Sequence, residues 1–157
     1  MEVHEASAFT AGLLHDIGKL VFVSQEGVNY AEMARTTGLY GPKLILAEEG
    51  MMGFSHTSLG ARLLSRWGLP ESVCLAVELH HQSPTIAAKH KRLVASVNFA
   101  NCLAHQLVDG PSGGPNAAEA SPEAMVMVEL KDDDIPALMQ DIQKGLQQVQ
   151  GLMQMKV

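Results

Sequence analysis

His15 and Asp16 stand side by side in an otherwise apolar segment, Ala-Gly-Leu-Leu-His-Asp-Ile-Gly-Lys-Leu, residues 11–20. A carboxylate and an imidazole sunk into apolar surroundings cost free energy unless a partner compensates them. A fold that buries this segment must therefore bring the pair a metal ion, a charged side chain or a network of hydrogen bonds. The spacing of Phe9, Leu13, Ile17 and Leu20 predicts a helix over Ala6–Val23, with the pair inside it.

The rest of the chain reads as helix as well. Asn29–Thr37 predicts a short helix stopped by Gly38, and Leu44–Gly50 adds at least another turn. Ser55 is placed to N-cap a helix that ends near Trp67-Gly68. Pro70 suits the first position of the next helix, with Glu71 in its first turn, and that helix runs to His81. Gln82-Ser83-Pro84 breaks it, and a further helix spans Lys91 to Val108. Asp109–Pro122 is rich in Gly, Pro, Ser and Ala and reads as a linker. From Asp134 to Met155 one stripe carries Ile135, Leu138, Met139, Ile142, Leu146, Val149 and Met153, an amphipathic helix. It suits packing on the main bundle, or a dimer or partner contact. The expected organisation is thus all-α: a helical core over 1–108, a flexible linker over 109–122 and a C-terminal helical tail over 123–157.

Placing each helix at 100° per residue puts a polar side chain on or beside four apolar faces. Asp16 falls between Phe9 and Leu20, with His15 on its flank. His56 falls amid Leu59, Gly60, Leu63 and Trp67, and His80 and His81 straddle Val73 and Val77. Asn101 lies with Val94, Val97 and Ala104. Each has a plainer explanation: a hydrogen-bonded core histidine, a local Asp16–Lys19 pair, a core amide bonded to backbone. Their coincidence on four helices favours a shared polar centre, the way helical bundles build metal sites.

Composition narrows the function. A 157-residue chain is long enough for one domain with a core, and at 4% aromatic that core is aliphatic and methionine-rich. A net charge of −6 argues against non-specific nucleic-acid binding as the main role. Cys74 and Cys102 lack metal-motif spacing and read as reduced core thiols of a cytoplasmic protein. The N-terminus has no signal-peptide pattern, and no apolar run is expected to approach the ~18 residues that span a membrane.

The residues that carry these motifs resemble the HD superfamily of metal-dependent phosphohydrolases, and more closely its HDOD branch, the HD-related output domain of bacterial signalling proteins. The resemblance rests on Ala8–Leu20 around His15-Asp16, on Gly53-Phe54-Ser55-His56 with Gly60, Leu63, Leu64 and Trp67-Gly68-Leu69-Pro70, on Val77-Glu78-Leu79-His80-His81, and on Leu93–Leu107 with Ala100-Asn101. It implies an HD-domain-like helical bundle with a C-terminal amphipathic helix. It also implies that His15, Asp16, His56, His80, His81 and Asn101 stand where active HD enzymes coordinate one or two divalent metals, which activate water and polarise a phosphoryl oxygen. Lys19 would help to hold phosphate. The nitrogen and oxygen donors suit Fe, Mn or Zn.

Three departures weigh against catalysis. Asn101 replaces the usual aspartate and is a neutral, weaker ligand. The upstream histidine of HD domains has no clear counterpart, since only fourteen residues precede His15, so the bundle is expected to lack its N-terminal helices. The stretch after His81, Gln82–Ala88, lacks the motif of cyclic di-GMP phosphodiesterases. The resemblance then implies a regulatory module acting through protein contacts or a small ligand, with a degenerate centre that holds metal weakly or not at all. The expected partner is another protein or a second copy, met through the C-terminal helix, with no membrane and no nucleic acid. The alternative is a phosphohydrolase of a nucleotide or another phosphate ester. Lys89-His90-Lys91-Arg92 is a basic cluster that reads first as a solvated helix start.

Overall fold

The computed structural model describes residues 4–25, 29–37, 41–109 and 122–154. Among them there is no strand. The helices are α1 (Glu5–Leu14), α2 (Ile17–Ser24), α3 (Tyr30–Thr37), α4 (Gly41–Met52), α5 (His56–Arg66), α6 (Glu71–Leu79), α7 (Lys91–Asp109), α8 (Pro122–Val128) and α9 (Ile135–Gln154). The all-α expectation holds. The predicted linker lies almost wholly outside the described residues.

The single helix expected over Ala6–Val23 is two helices. The chain breaks at His15-Asp16, where Asp16 takes φ −101°, ψ 11°, the bridge conformation in which many site residues sit. Continuous apolar periodicity concealed this break. It also misplaced the buried face. Phe9, Leu13, Leu20 and Val23 are exposed by 73, 70, 64 and 56%. Ala11, Gly18 and Phe22 face inward instead. Small residues win because the helices approach closely. A Cβ built on Gly18 would stand 2.0 Å from the His56 carbonyl oxygen, and one on Gly60 would stand 3.2 Å from Ile17 Cγ2 and Val77 Cγ1. This glycine-lined contact of α2 with α5 sets Asp16 beside His56.

Ser55 caps α5 as expected. Its hydroxyl accepts the Ser58 N–H, and the Ser58 hydroxyl accepts the Ser55 N–H, both at 3.2 Å. Gly68, at φ +78°, ends the helix in the left-handed region. The Leu69 N–H then returns to the Leu64 carbonyl at 3.1 Å. Trp67 is exposed rather than packed beside His56, because α5 buries His56, Thr57, Gly60, Ala61 and Leu64. Pro70 is the N-cap of α6, one position earlier than expected, and α6 stops at Leu79. His80 and His81 therefore sit on the turn beyond it.

The main core lies between α1, α5, α6 and α7: Ala11, Leu64, Val73, Ala76, Val77, Leu93, Val94 and Val97, closed by Ala87. A second cluster uses another face of α7, where Ala95, Phe99 and Leu103 meet Ala124 of α8 and Ile135, Leu138, Met139 and Ile142 of α9. The tail helix thus packs along its first half. Beyond it, Leu146 and Val149 continue the stripe in exposed positions. Ala104 of α7 is exposed as well.

Residues Glu5–Ser24 together have a mean hydropathy of 1.2 over a window long enough to cross a membrane by length and composition. This corrects the expectation that no apolar run approaches that length. The break at His15-Asp16, and the packing of α1 on α6 and α7 and of α2 on α5, give this stretch a place in the bundle.

Candidate metal centre

Asp16, His56, His80 and His81 offer one ligand atom each, and these atoms all lie within 4.8 Å of one another. Each comes from a helix end: Asp16 from the α1–α2 break, His56 from the first position of α5, and His80 and His81 from the turn after α6. Helix ends let side chains from separate elements converge without opening the apolar core beneath them.

Hydrogen bonds fix which nitrogen of His56 and of His80 faces inward. His80 Nδ1 lies 2.7 Å from the Val77 carbonyl oxygen. A carbonyl only accepts, so Nδ1 carries the hydrogen and Nε2 presents its lone pair. His56 Nδ1 lies 2.7 Å from Glu48 Oε2, and the His56 backbone N–H donates to the same oxygen at 2.8 Å. Its Nε2 likewise faces the cluster. Asp16 Oδ1 stands 3.4 Å from His56 Nε2 and 3.6 Å from His80 Nε2, too far for good hydrogen bonds. Asp16 Oδ1 and the Nε2 atoms of His56, His80 and His81 are all buried without a hydrogen-bond partner.

Three lone pairs, of Asp16 Oδ1, His56 Nε2 and His80 Nε2, thus point at one small volume with no hydrogen between them, and His81 brings a ligand atom within 4.8 Å of the others. Buried polar atoms are normally satisfied, and a cation is the group that satisfies four donors together. Three imidazoles and one carboxylate suit Zn, Fe or Mn. The residues fit a divalent metal on this ground.

The local charges agree. Burial pushes the Asp16 carboxyl up, but the His15 and His80 imidazoles and the Lys19 ammonium outweigh it and hold the group well below the usual carboxylate range. Burial, helped by the neighbouring His80 and His56, lowers His81 to about 2. Burial also lowers His80, against the pull of Asp16. Asp16 is therefore ionised and both histidines are neutral at pH 7, the protonation states that metal binding needs.

The other expected residues lie around this set. His15 donates from Nδ1 to the Gly12 carbonyl at 2.7 Å, and its Nε2 is 3.4 Å from Asp16 Oδ2. Its ring meets that of His80 edge-on at 4.9 Å, so it flanks the four donors. Burial lowers His15, but the Asp16 carboxylate beside it outweighs this and raises the group overall. Lys19 Nζ bonds Asp16 Oδ2 at 2.7 Å. The local pair and the shared centre therefore coexist, one on each carboxylate oxygen. Asn101 is buried on α7, but no described hydrogen bond ties it to the cluster. Its neighbour Asn98 makes the contact from α7, donating from Nδ2 to the His80 carbonyl at 2.8 Å. The basic cluster is spread across the surface, with Arg92 3.1 Å from Glu129 and Lys89 3.9 Å from Glu71.

Sequence reasoning missed Glu48 and Tyr30. Glu48 is fully buried and accepts from His56 and from the Tyr30 hydroxyl, the latter at 2.5 Å. Burial raises its carboxyl, and these donors outweigh that and lower it overall. Burial and the Glu48 charge push the Tyr30 hydroxyl well above its usual range. The only signal was Leu44, four residues earlier on the same face of α4 and also buried.

The HDOD domain family matches residues 1–83, a stretch that holds all four donors and Glu48 and ends before Asn101. An uncharacterized protein from Treponema pallidum (strain Nichols) is 33% identical over 109 residues, 67% of this chain and 20% of that protein. The chain thus spans about a fifth of the length of this relative. No solved structure matches. With the matched stretch covering more than half of the chain and enclosing the His/Asp centre, this protein belongs to the HDOD domain family.

Proposed function

We propose that the chain is a cytoplasmic regulatory module of bacterial signalling that works through protein contacts and keeps a modified metal centre. The observation that carries this reading is that α1 and α2, the two helices that flank Asp16 in sequence, leave Phe9, Leu13, Leu20 and Val23 exposed. Large apolar side chains left exposed in this number on two neighbouring helices suit a docking partner. The two free thiols, Cys74 and Cys102, suit a reducing compartment. Asp16, His56, His80 and His81 would hold the metal, which when bound supplies a Lewis acid. Asn101 on α7 brings no charge where the family resemblance implies a carboxylate, and this weakens the case for turnover.

A second reading, a metal-dependent phosphohydrolase of a nucleotide or another phosphate ester, is favoured by the intact four-donor cluster with Lys19 at its rim. The two readings separate in one assay. Protein loaded with Mn2+ is incubated with nucleotides, cyclic dinucleotides and p-nitrophenyl phosphate. The regulatory reading expects hydrolysis no faster than with Mn2+ alone. Turnover that disappears in Asp16→Ala would overturn it in favour of the enzyme.

A further inference from the structure

We infer that Tyr30 and Glu48 are positioning residues that couple metal loading of the centre to the docking of α3 and α4 on the bundle; the inference rests on the metal reading above.

The buried residues of α4 are Gly41, Leu44 and Glu48, while Leu46 and Met51 on the same helix are largely exposed. With Leu44 the one large apolar side chain fully buried on α4, and Ile45 and Met52 half-buried, the polar contacts of Glu48 weigh heavily in keeping α4 in place. On α3, Tyr30 stacks on Phe22 of α2 at 5.1 Å, and Phe22 stacks on Phe54 at 5.6 Å. The Tyr30 hydroxyl then closes a chain from α3 to Glu48 on α4 and on to His56 of α5. At its other end α4 also frames the centre, since a Cβ built on Gly41 would stand 3.9 Å from His81 Nδ1.

A fully buried carboxylate needs strong donors. A cation at His56 Nε2 polarises the ring, strengthens the Nδ1–H bond to Glu48 and brings positive charge close to it. Loading the centre therefore stabilises Glu48 where it lies, and with it α4 and Tyr30. The converse holds by linkage: pulling α4 away removes the Glu48 carboxylate that fixes the inward nitrogen of His56, pulling α3 away removes the Tyr30 hydroxyl that holds that carboxylate, and metal affinity falls by the coupling factor. A module that reports a signal needs such a link between a site and a movable element.

The test measures Mn2+ affinity by calorimetry for wild type, Tyr30→Phe and Glu48→Gln, with backbone hydrogen exchange of α3 and α4 followed with and without Mn2+. Tyr30→Phe keeps the ring stack and removes only the hydroxyl, so it reports even where Glu48→Gln does not fold. The expected loss of affinity is about 10-fold for Tyr30→Phe and about 100-fold for Glu48→Gln, the range for groups that orient metal ligands. Exchange in α3 and α4 should slow on adding Mn2+ to wild type and slow less in Tyr30→Phe. Equal affinities with unchanged exchange would overturn the coupling and leave the metal reading standing. No Mn2+ binding by wild type would overturn both.

Discussion

Glu48 and His56 meet twice: the backbone N–H and the Nδ1–H of His56 both reach the Glu48 carboxylate, at 2.8 and 2.7 Å. One buried acid thereby fixes where α5 begins and which nitrogen its first side chain turns inward. The centre depends on contacts of this kind, between helix ends that the surrounding core holds in register.

The closest of these contacts is at Gly18. Gly18→Ala is expected to destabilise the protein by about 3 kcal/mol, since the new methyl meets His56 backbone and neither helix can shift freely. Gly60→Ala, whose methyl meets the Ile17 and Val77 side chains at 3.2 Å and the Gly18 backbone nitrogen at an ordinary 3.4 Å, should cost about 1 kcal/mol. Gly12→Ala, with nothing within 4 Å, should instead stabilise by roughly 0.5–1 kcal/mol through helix propensity. Urea denaturation of the three variants gives the order directly.

The metal-free protein should lose stability as pH falls below 6.5. His80 and His81 ordinarily titrate at 6.5, and burial lowers both in the fold. Below 6.5 the unfolded chain takes up protons that the fold excludes, so each histidine removes up to about 1.4 kcal/mol per pH unit. Asp16 and Glu48 are also lowered, so their contribution persists above their unfolded values of 3.8 and 4.5 and is lost as pH falls through their folded ones. His15 is raised. Its contribution is full below 6.5 and lost as pH rises through its folded value. Stability should therefore peak near neutral pH. Denaturation midpoints between pH 4.5 and 7.5 check this, and His81→Gln should flatten the acid limb.

The tail helix should divide into a structural and a dispensable half. Phe99→Ala, in the cluster that α8 and α9 complete, is expected to cost about 3–4 kcal/mol. Leu146→Ala, on the exposed continuation of the stripe, should change stability by less than about 0.5 kcal/mol. Thermal unfolding of both variants distinguishes this from a helix packed along its whole length.

Much of this was readable in the residues. Ser55 announced the start of α5, and apolar phasing placed His56 on an inward face; Asp16 was phased between Phe9 and Leu20, which the fold leaves exposed, and it reaches the cluster through the break at His15-Asp16, as His80 does through the turn after α6. What stayed hidden depends on three dimensions. Phe9, Leu13 and Leu20 have the spacing of a core stripe, and periodicity does not tell a buried apolar face from an exposed one. The packed face is chosen by Ala11 and Gly18, whose small size permits close approach. Glu48, in a Glu-Glu pair on a helix, reads as solvated charge. Its burial depends on Tyr30 and His56, which lie 18 and 8 residues away in sequence. Asn101 was legible as a motif position, and it is Asn98 that contacts the turn carrying His80.

The central claim is that Asp16, His56, His80 and His81 form a cation site. The most direct measurement is elemental analysis of protein purified without chelators, repeated after dialysis against Mn2+, Fe2+ or Zn2+, for wild type and Asp16→Asn. The account predicts about one equivalent of a divalent transition metal in wild type, as expected for a four-donor site, and its loss in the variant. Wild type that carries less than about 0.1 equivalent, and regains none on dialysis against any of the three ions, would contradict it.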